Sequence, residues 1–365
     1  MNVFKSSIPF ERKNINTIFY GGLRLKGIVK KGSNSQPLVS YITAALNSKS
    51  TILKTIQSVQ SQSYCNVEHI IIDGGSTDGT LQLIHENEDK IDYYISEKDF
   101  GVYSAFNKGV CLANGEIICI LNSDDWLISD SAINAVKLLK NKHALSILCT
   151  SALVHDVDRG GYVWNPITVD AGSYFTCANV CHNAIYATRG VYSNVGLYAE
   201  NFKIAGDFDW IMRCYEQKIN FIYSNELTVN YAKGGISSDI LTHCKECICI
   251  AKTRFPFLDN ETINGLFFIF FGQMKVLGPK LGVKPPDHFG RFLKDVLQKN
   301  ASQADFVNAL AWSAVGNLIH PKDMNWYFCL KRLWIKFLEN IKVTLLAISP
   351  RLYRLIKKIN NSKKI

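Results

Sequence analysis

The feature that most constrains the fold is an alternation of strand and helix signals between residues 38 and 121. Four short, β-rich apolar runs occur there: Leu38–Thr43, Val67–Ile72, Tyr93–Ile95 and Glu116–Leu121. Between them lie stretches with helical spacing. Ile52, Leu53, Ile56 and Val59 mark the first, Leu81 and Ile84 the second, and residues 101–113 the third. Strand–helix alternation of this kind builds a parallel sheet with helices on both faces, an α/β fold. Such sheets bind ligands beyond the carboxyl ends of their strands. The polar residues fall at those ends: Thr43 and Asn47, Asp73, Glu97 and Asp99, then Asp124 and Asp125.

Two of these ends carry chemistry. Asp73-Gly74-Gly75-Ser76-Thr77-Asp78-Gly79-Thr80 is a turn and helix cap by composition. It lacks the G-x-G-x-x-G of a dinucleotide site and the Gly-Lys-Ser/Thr of a phosphate loop. Asn122-Ser123-Asp124-Asp125 sets two adjacent carboxylates directly after an apolar strand. Their repulsion is relieved by a divalent cation, and Mg²⁺ or Mn²⁺ prefers carboxylate and phosphate oxygens. A helix N-cap with acids in its first turn is the alternative for that tetrapeptide.

Together these segments resemble the family 2 glycosyltransferases of GT-A fold. The resemblance rests on the 73–80 loop, Asn107-Lys108-Gly109, Ala113-Asn114-Gly115-Glu116 and the 122–125 acids. Ser96-Glu97-Lys98-Asp99-Phe100-Gly101-Val102-Tyr103 resembles the branch that builds bacterial O-antigens and exopolysaccharides. It covers residues 37–240 and implies a GT-A domain there, after an N-terminal arm (1–36) and before a helical C-terminal region (241–365). It implies transfer of a sugar from a nucleotide-sugar donor, a UDP-sugar first among them, to a glycan or lipid-linked acceptor, with inversion and with Mn²⁺ or Mg²⁺.

By the same resemblance, Thr43, Asn47, Asp73, Asp99, Asn107 and His182 belong to the donor site. Asp124 and Asp125 match the metal and ribose acids, with Asp125 the direct ligand. The family often has Asp where this chain has Asn122. Asp207 matches the catalytic base and Asp209 is a second candidate; both also suit a helix cap. Lys233-Gly234-Gly235-Ile236-Ser237 resembles a late Gly-Gly-Ile-Ser loop of the same branch, and either closes over the donor phosphates or is an ordinary turn. A nucleotide-sugar-binding protein without transfer activity is the rival reading, and an acid at position 207 argues for the enzyme.

Charge separates the C-terminal end from the rest. The chain of 365 residues carries a net charge of +10, and residues 321–365 hold eleven basic residues against two acidic ones. No recognised nucleic-acid module accompanies them. Trp326, Leu330, Leu333, Trp334, Phe337 and Ile341 fall on one helix face there, and a basic helix of that kind suits an anionic membrane surface. The eleven cysteines are scattered through apolar segments, which suits reduced thiols. Cys244-x-x-Cys247 has no second pair at a zinc spacing. The longest apolar run, 265–272, is short of a membrane span, and Met1–Arg12 has no apolar core of signal-peptide length. The expectation is a cytoplasmic protein, peripheral on the inner face of the cytoplasmic membrane.

Overall fold

The computed structural model describes residues 18–319, apart from 141, 143, 157–159, 178–179, 236–237 and 272–273. The basic segment 322–365 and its expected helix face therefore lie outside the described residues, as do Ile236 and Ser237.

The chain runs β1 (Phe19–Gly21), β2 (Val39–Ala45), α1 (Ile52–Gln60), β3 (Val67–Asp73), α2 (Thr80–Glu86), β4 (Tyr93–Ser96), α3 (Val102–Leu112) and β5 (Ile117–Ile120). It continues through β6 (Trp126–Leu127), α4 (Ser131–Leu139), β7 (Ser146–Asp156), β8 (Gly160–Trp164), α5 (Ser173–Thr176), β9 (Ile185–Thr188), α6 (Arg189–Val195), α7 (Gly206–Glu216) and β10 (Asn220–Ala232). Helices α8 (Ile240–Arg254), α9 (Asn260–Phe270), α10 (Met274–Leu281), α11 (Phe289–Lys299) and α12 (Ala304–Ile319) follow.

All ten strands share one sheet, in the order β1-β4-β3-β2-β5-β9-β7-β10-β6, with β8 beside the far half of β7. β4, β3, β2 and β5 are mutually parallel. β3 is buried along its whole length, as a strand covered on both faces by helices must be. β9 then runs antiparallel to both β5 and β7, and β7 pairs in parallel with β10. From Ile18 onward the N-terminal arm is part of the sheet: β1 adds antiparallel to β4, and Lys30 Nζ donates to Val67 O at 2.7 Å.

Two motifs quoted for the family lock the scaffold. Buried Glu68 accepts the N–H groups of Asn114 and Gly115, and Glu116 accepts the N–H of Leu38. A Cβ on Gly115 would come within 2.6 Å of Leu38 O, so the bend before β5 needs glycine. A Cβ on Gly109 would meet Ile42 Cγ2 at 2.2 Å, so α3 lies directly on β2.

The C-terminal helices share the sheet's largest core. One cluster runs from Ile42 and Ile120 through Phe175 and Trp210 to Phe255, Phe267 and Phe306. Phe175 stacks on Phe255 with ring centres 5.6 Å apart, and Phe255 meets Phe306 edge-on at 5.4 Å. Among the described residues, no helix is long and apolar enough to cross a membrane.

Candidate active site

The carboxyl ends of β2 and β3 are sewn together by their own loops. Asn47 holds a left-handed backbone (φ 50°); its side-chain oxygen accepts Thr77 N–H at 2.9 Å, and its own N–H reaches Ser76 Oγ at 2.7 Å. Asp73 is fully buried and accepts the N–H of Gly75 and of Ser76 and the hydroxyls of Ser76 and Ser96. Thr43 is buried too, with its hydroxyl 2.9 Å from His69 Nε2. Of these three expected donor residues, Thr43 and Asp73 stand behind the surface of the site, whereas Asn47 is exposed. Asp99 stands at the surface. A Cβ on Gly74 would lie 2.6 Å from Asp99 Oδ2, so the glycine makes room for that carboxylate. Burial raises the Asp99 pKa, and the Gly101 N–H on Oδ1 (3.0 Å) opposes the rise.

The two adjacent acids part company. Asp125 is fully buried: Ala232 N–H donates to Oδ1 at 2.7 Å, and the Asn183 amide donates to Oδ2. Burial first, and Asp124 second, push the Asp125 carboxyl well above the usual range. Asn183 Oδ1 is buried without a partner. Asp124 is only half-buried, and its Oδ2 is 3.7 Å from where a Cβ on Gly235 would lie. Burial raises its pKa as well. Of the pair, Asp124 is the open carboxylate. The resemblance makes Asp125 the direct ligand; here both Asp125 oxygens accept hydrogen bonds, and the more open carboxylate is that of Asp124.

One open carboxylate suits a hard cation that takes its remaining oxygens from substrate phosphates and water. Among the described residues no group of three His, Cys, Asp or Glu side chains is gathered as a metal site. The Cys244-x-x-Cys247 pair lies buried in α8, with Cys244 Sγ 3.3 Å from Met274 Sδ and Cys247 Sγ 3.5 Å from His243 Nε2.

The acid pair on α7 also separates. Asp209 Oδ2 accepts Arg213 Nε at 2.9 Å, and the same guanidinium donates to the carbonyls of Val195 and Leu197. Asp209 thus ties α7 to the turn after α6. Asp207 Oδ1 accepts Phe208 N–H at 2.8 Å and faces the Tyr103 hydroxyl at 3.2 Å. Among the described residues, no hydrogen bond to its second oxygen is found. A carboxylate held by one oxygen and open at the other can accept a proton.

His182 sits between these groups, half-buried, with Nε2 3.0 Å from the Tyr198 hydroxyl. Burial lowers its pKa and the Asp207 charge opposes that. Its neighbour Cys181 is buried, and its thiol is pushed up by burial and then by the charges of Asp125 and Asp207. The segment Cys181–Asn183 therefore adjoins both the acid pair and the α7 carboxylate. Asn107, expected near the donor, instead clamps the far wall: its amide donates to Tyr198 O and Glu200 Oε1, both at 2.9 Å, and its oxygen accepts Tyr198 N–H at 2.9 Å. Lys108 pairs with Glu97.

Four contributors were not singled out from the sequence. Tyr103 stood inside a stretch quoted for the family, and Asn183 stood next to His182. Glu200 and Glu246 had no local signal, because their roles arise only when distant elements meet.

Residues 40–191 match the glycosyl transferase family 2 model. A PGL/p-HBAD biosynthesis glycosyltransferase of Mycobacterium bovis is 27% identical over 210 residues, covering 56% of this chain and 81% of that one. An uncharacterized glycosyltransferase of Mycobacterium tuberculosis is 32% identical over 184 residues, 49% of this chain and 69% of that one. Among solved structures, Staphylococcus aureus TarS 1–349 in complex with UDP-GlcNAc superposes with a TM-score of 0.52 at 16% identity, covering 77% of this chain and 92% of that one. That last likeness is one of fold. With the matched segment spanning the 73–80 loop, the open Asp124 and the Cys181–Asn183 bridge, the chain belongs to glycosyl transferase family 2 and is a glycosyltransferase on a GT-A sheet.

Proposed function

We propose that this enzyme moves a sugar from a nucleoside-diphosphate sugar, a UDP-sugar first, to a hydroxyl of a glycan or lipid-linked acceptor in surface polysaccharide assembly. The observation that carries the reading is the division of labour among carboxylates. Asp99 and Asp124 stand open on the donor side, Asp207 stands open across the Cys181–Asn183 bridge, and Asp73, Asp125 and Asp209 are consumed in holding them. One relative is named for PGL/p-HBAD biosynthesis, so the acceptor class is not confined to O-antigen chains.

In this reading Asp99 and the Asp73 loop hold the base and ribose. Asp124 would hold Mn²⁺ or Mg²⁺, which when bound offsets the charge developing on the departing diphosphate. Asp207 accepts the acceptor proton through its free oxygen as the hydroxyl attacks the anomeric carbon. Tyr103 and the Phe208 N–H keep its other oxygen fixed. One displacement inverts that carbon and needs no covalent intermediate. The Lys233–Gly235 turn, with Gly235 beside Asp124, would cover the phosphates. The basic segment 322–365 brings the enzyme to an anionic membrane surface, where lipid-linked acceptors reside.

A panel of UDP- and GDP-sugars with Mn²⁺, read by release of nucleoside diphosphate with and without EDTA, tests the donor and metal assignments. Release that EDTA leaves untouched would remove the metal. No release and no thermal stabilisation by any donor would remove the donor reading. Sedimentation with anionic vesicles over a salt series tests the tail: binding should weaken with salt without vanishing, because the apolar face is not screened.

A further inference from the structure

Beside Asp207 lies a cleft of about 340 Å³ between the start of α3 and the segment that leads into α7. Its walls include Phe100, Ser104, Glu200, Asn201 and Lys203, with Tyr103 between the cleft and Asp207. Phe100 is 91% exposed, although it stands on an anchored loop. Glu97 N–H donates to Asp73 O at 3.0 Å, the Glu97–Lys108 ion pair holds the same residue, and Gly101 N–H donates to Asp99. Gly101 takes φ 121°, a backbone open to glycine, and this turn leaves the neighbouring ring bare.

The opposite wall is equally fixed. Asn107 holds Tyr198 and Glu200 from one side. From the other, Glu246 on α8 accepts three consecutive backbone N–H groups, of Lys203 (2.7 Å), Ile204 (2.9 Å) and Ala205 (2.8 Å). One carboxylate from a C-terminal helix thus sets both the cleft wall and the start of the helix that bears Asp207. A bare aromatic face on a pinned loop, opposite a carboxylate, an amide and an ammonium group, is complementary to one kind of molecule. A pyranose ring offers an apolar face of C–H groups and a rim of hydroxyls that both donate and accept.

We propose that this cleft is a preformed subsite for a pyranose ring of the acceptor, with Phe100 as its stacking platform and Glu246 as a positioning residue for its wall. The proposal rests on the transfer reading above. It makes the acceptor a glycan or glycolipid headgroup recognised through a sugar ring, and not through a lipid or peptide.

Saturation-transfer NMR on the full chain tests it, with methyl β-D-galactopyranoside, methyl β-D-glucopyranoside and methyl α-D-mannopyranoside as probes, in the presence of UDP and Mn²⁺. At least one glycoside should be saturated most strongly at the C–H groups of one ring face. Phe100→Ala should weaken its affinity about tenfold, the loss of one aromatic contact, and Phe100→Trp should keep it. Phe100 is a surface residue, so both variants should melt like the parent. Bound UDP with no saturated glycoside, or equal glycoside binding in Phe100→Ala, would overturn the subsite. Displacement of the glycoside by an intact UDP-sugar but not by UDP would assign the cleft to the donor's sugar and overturn it as well. If UDP itself fails to bind, the reading beneath the proposal falls.

Discussion

The half of the site proposed for the donor and the half proposed for the acceptor are built in opposite ways. Around Asp73 the contacts are local: two backbone N–H groups come from two and three residues away, and the neighbouring strand supplies Ser96. Around Asp207, apart from the Phe208 N–H, the surrounding contacts are remote in sequence. Tyr103 comes from α3, Tyr198 is held by Asn107, and Glu246 reaches back from α8. An aromatic cluster fills the space behind it, with Tyr103 on Tyr198 (5.9 Å), Tyr198 on Trp210 (5.3 Å) and Tyr192 on Trp210 (4.8 Å). The first half is a set of turns that short segments can specify alone. The second exists only once the whole chain has folded.

The largest test of that division is Asp207→Asn. It should lower kcat by ~10²-fold or more and leave the donor's Kd near that of the parent. Loss of donor binding in this variant would join the two halves. Next, Asp124→Asn should abolish the Mn²⁺-dependent part of UDP binding, measured by calorimetry. Asp125→Asn, an isostere of the protonated acid, should keep most of it; the reverse order would restore Asp125 as the ligand.

Glu246→Ala should come third. It leaves three N–H groups without their acceptor and should lower kcat about tenfold, while UDP affinity holds. Glu246→Gln keeps one side-chain oxygen as an acceptor and should recover part of the loss. Equal damage to kcat and to UDP binding would show that α8 supports the whole fold and not one wall.

The pH dependence is a finer probe. Burial raises the pKa of both Asp124 and Asp125. The folded chain therefore holds these protons more tightly than the unfolded chain does. Stability should fall as pH rises above the ordinary carboxylate range, and Asp125→Asn should flatten that slope in a melting series. Metal-assisted donor binding should fail on acidification at a higher pH than a normal carboxylate would give, because Asp124 must be ionised. The smallest effect belongs to Asp209→Asn. Its part-exposed pair with Arg213 should cost about 0.3–0.5 kcal/mol of stability and leave the pH profile of turnover in place.

The same contrast explains what the sequence made legible. The parallel strands and the ends of β2 to β5 stood out because apolar runs and polar caps are short-range signals. Asp207 stood out because it sits in an acid pair before an amphipathic helix. Asn107-Lys108-Gly109 was visible too, but a motif does not say what constrains it. Here the constraints are a clamp on Tyr198 and Glu200, an ion pair with Glu97 and close approach to Ile42. Asp124 and Asp125 look alike in sequence. Only the return of β10, which brings the Ala232 N–H, makes one a strut and leaves the other open. Glu246 was out of reach because nothing near it marks the three N–H groups, some forty residues earlier in the chain, that it accepts.

The common core of sheet and C-terminal helices limits how this enzyme can be cut or recombined. Phe175 and Trp210 belong to the catalytic half by position, yet Phe175 is packed by Phe255, Phe267 and Phe306 from beyond residue 240. A fragment ending after β10 would bare that aromatic face and lose Glu246, which holds the cleft wall at Lys203–Ala205. Exchange of acceptor specificity between relatives by swapping a neat catalytic module should therefore fail unless the transplanted piece carries its helices through Leu310. Modularity in this protein belongs to the loops at the rim, Phe100 foremost, and not to the domains beneath them.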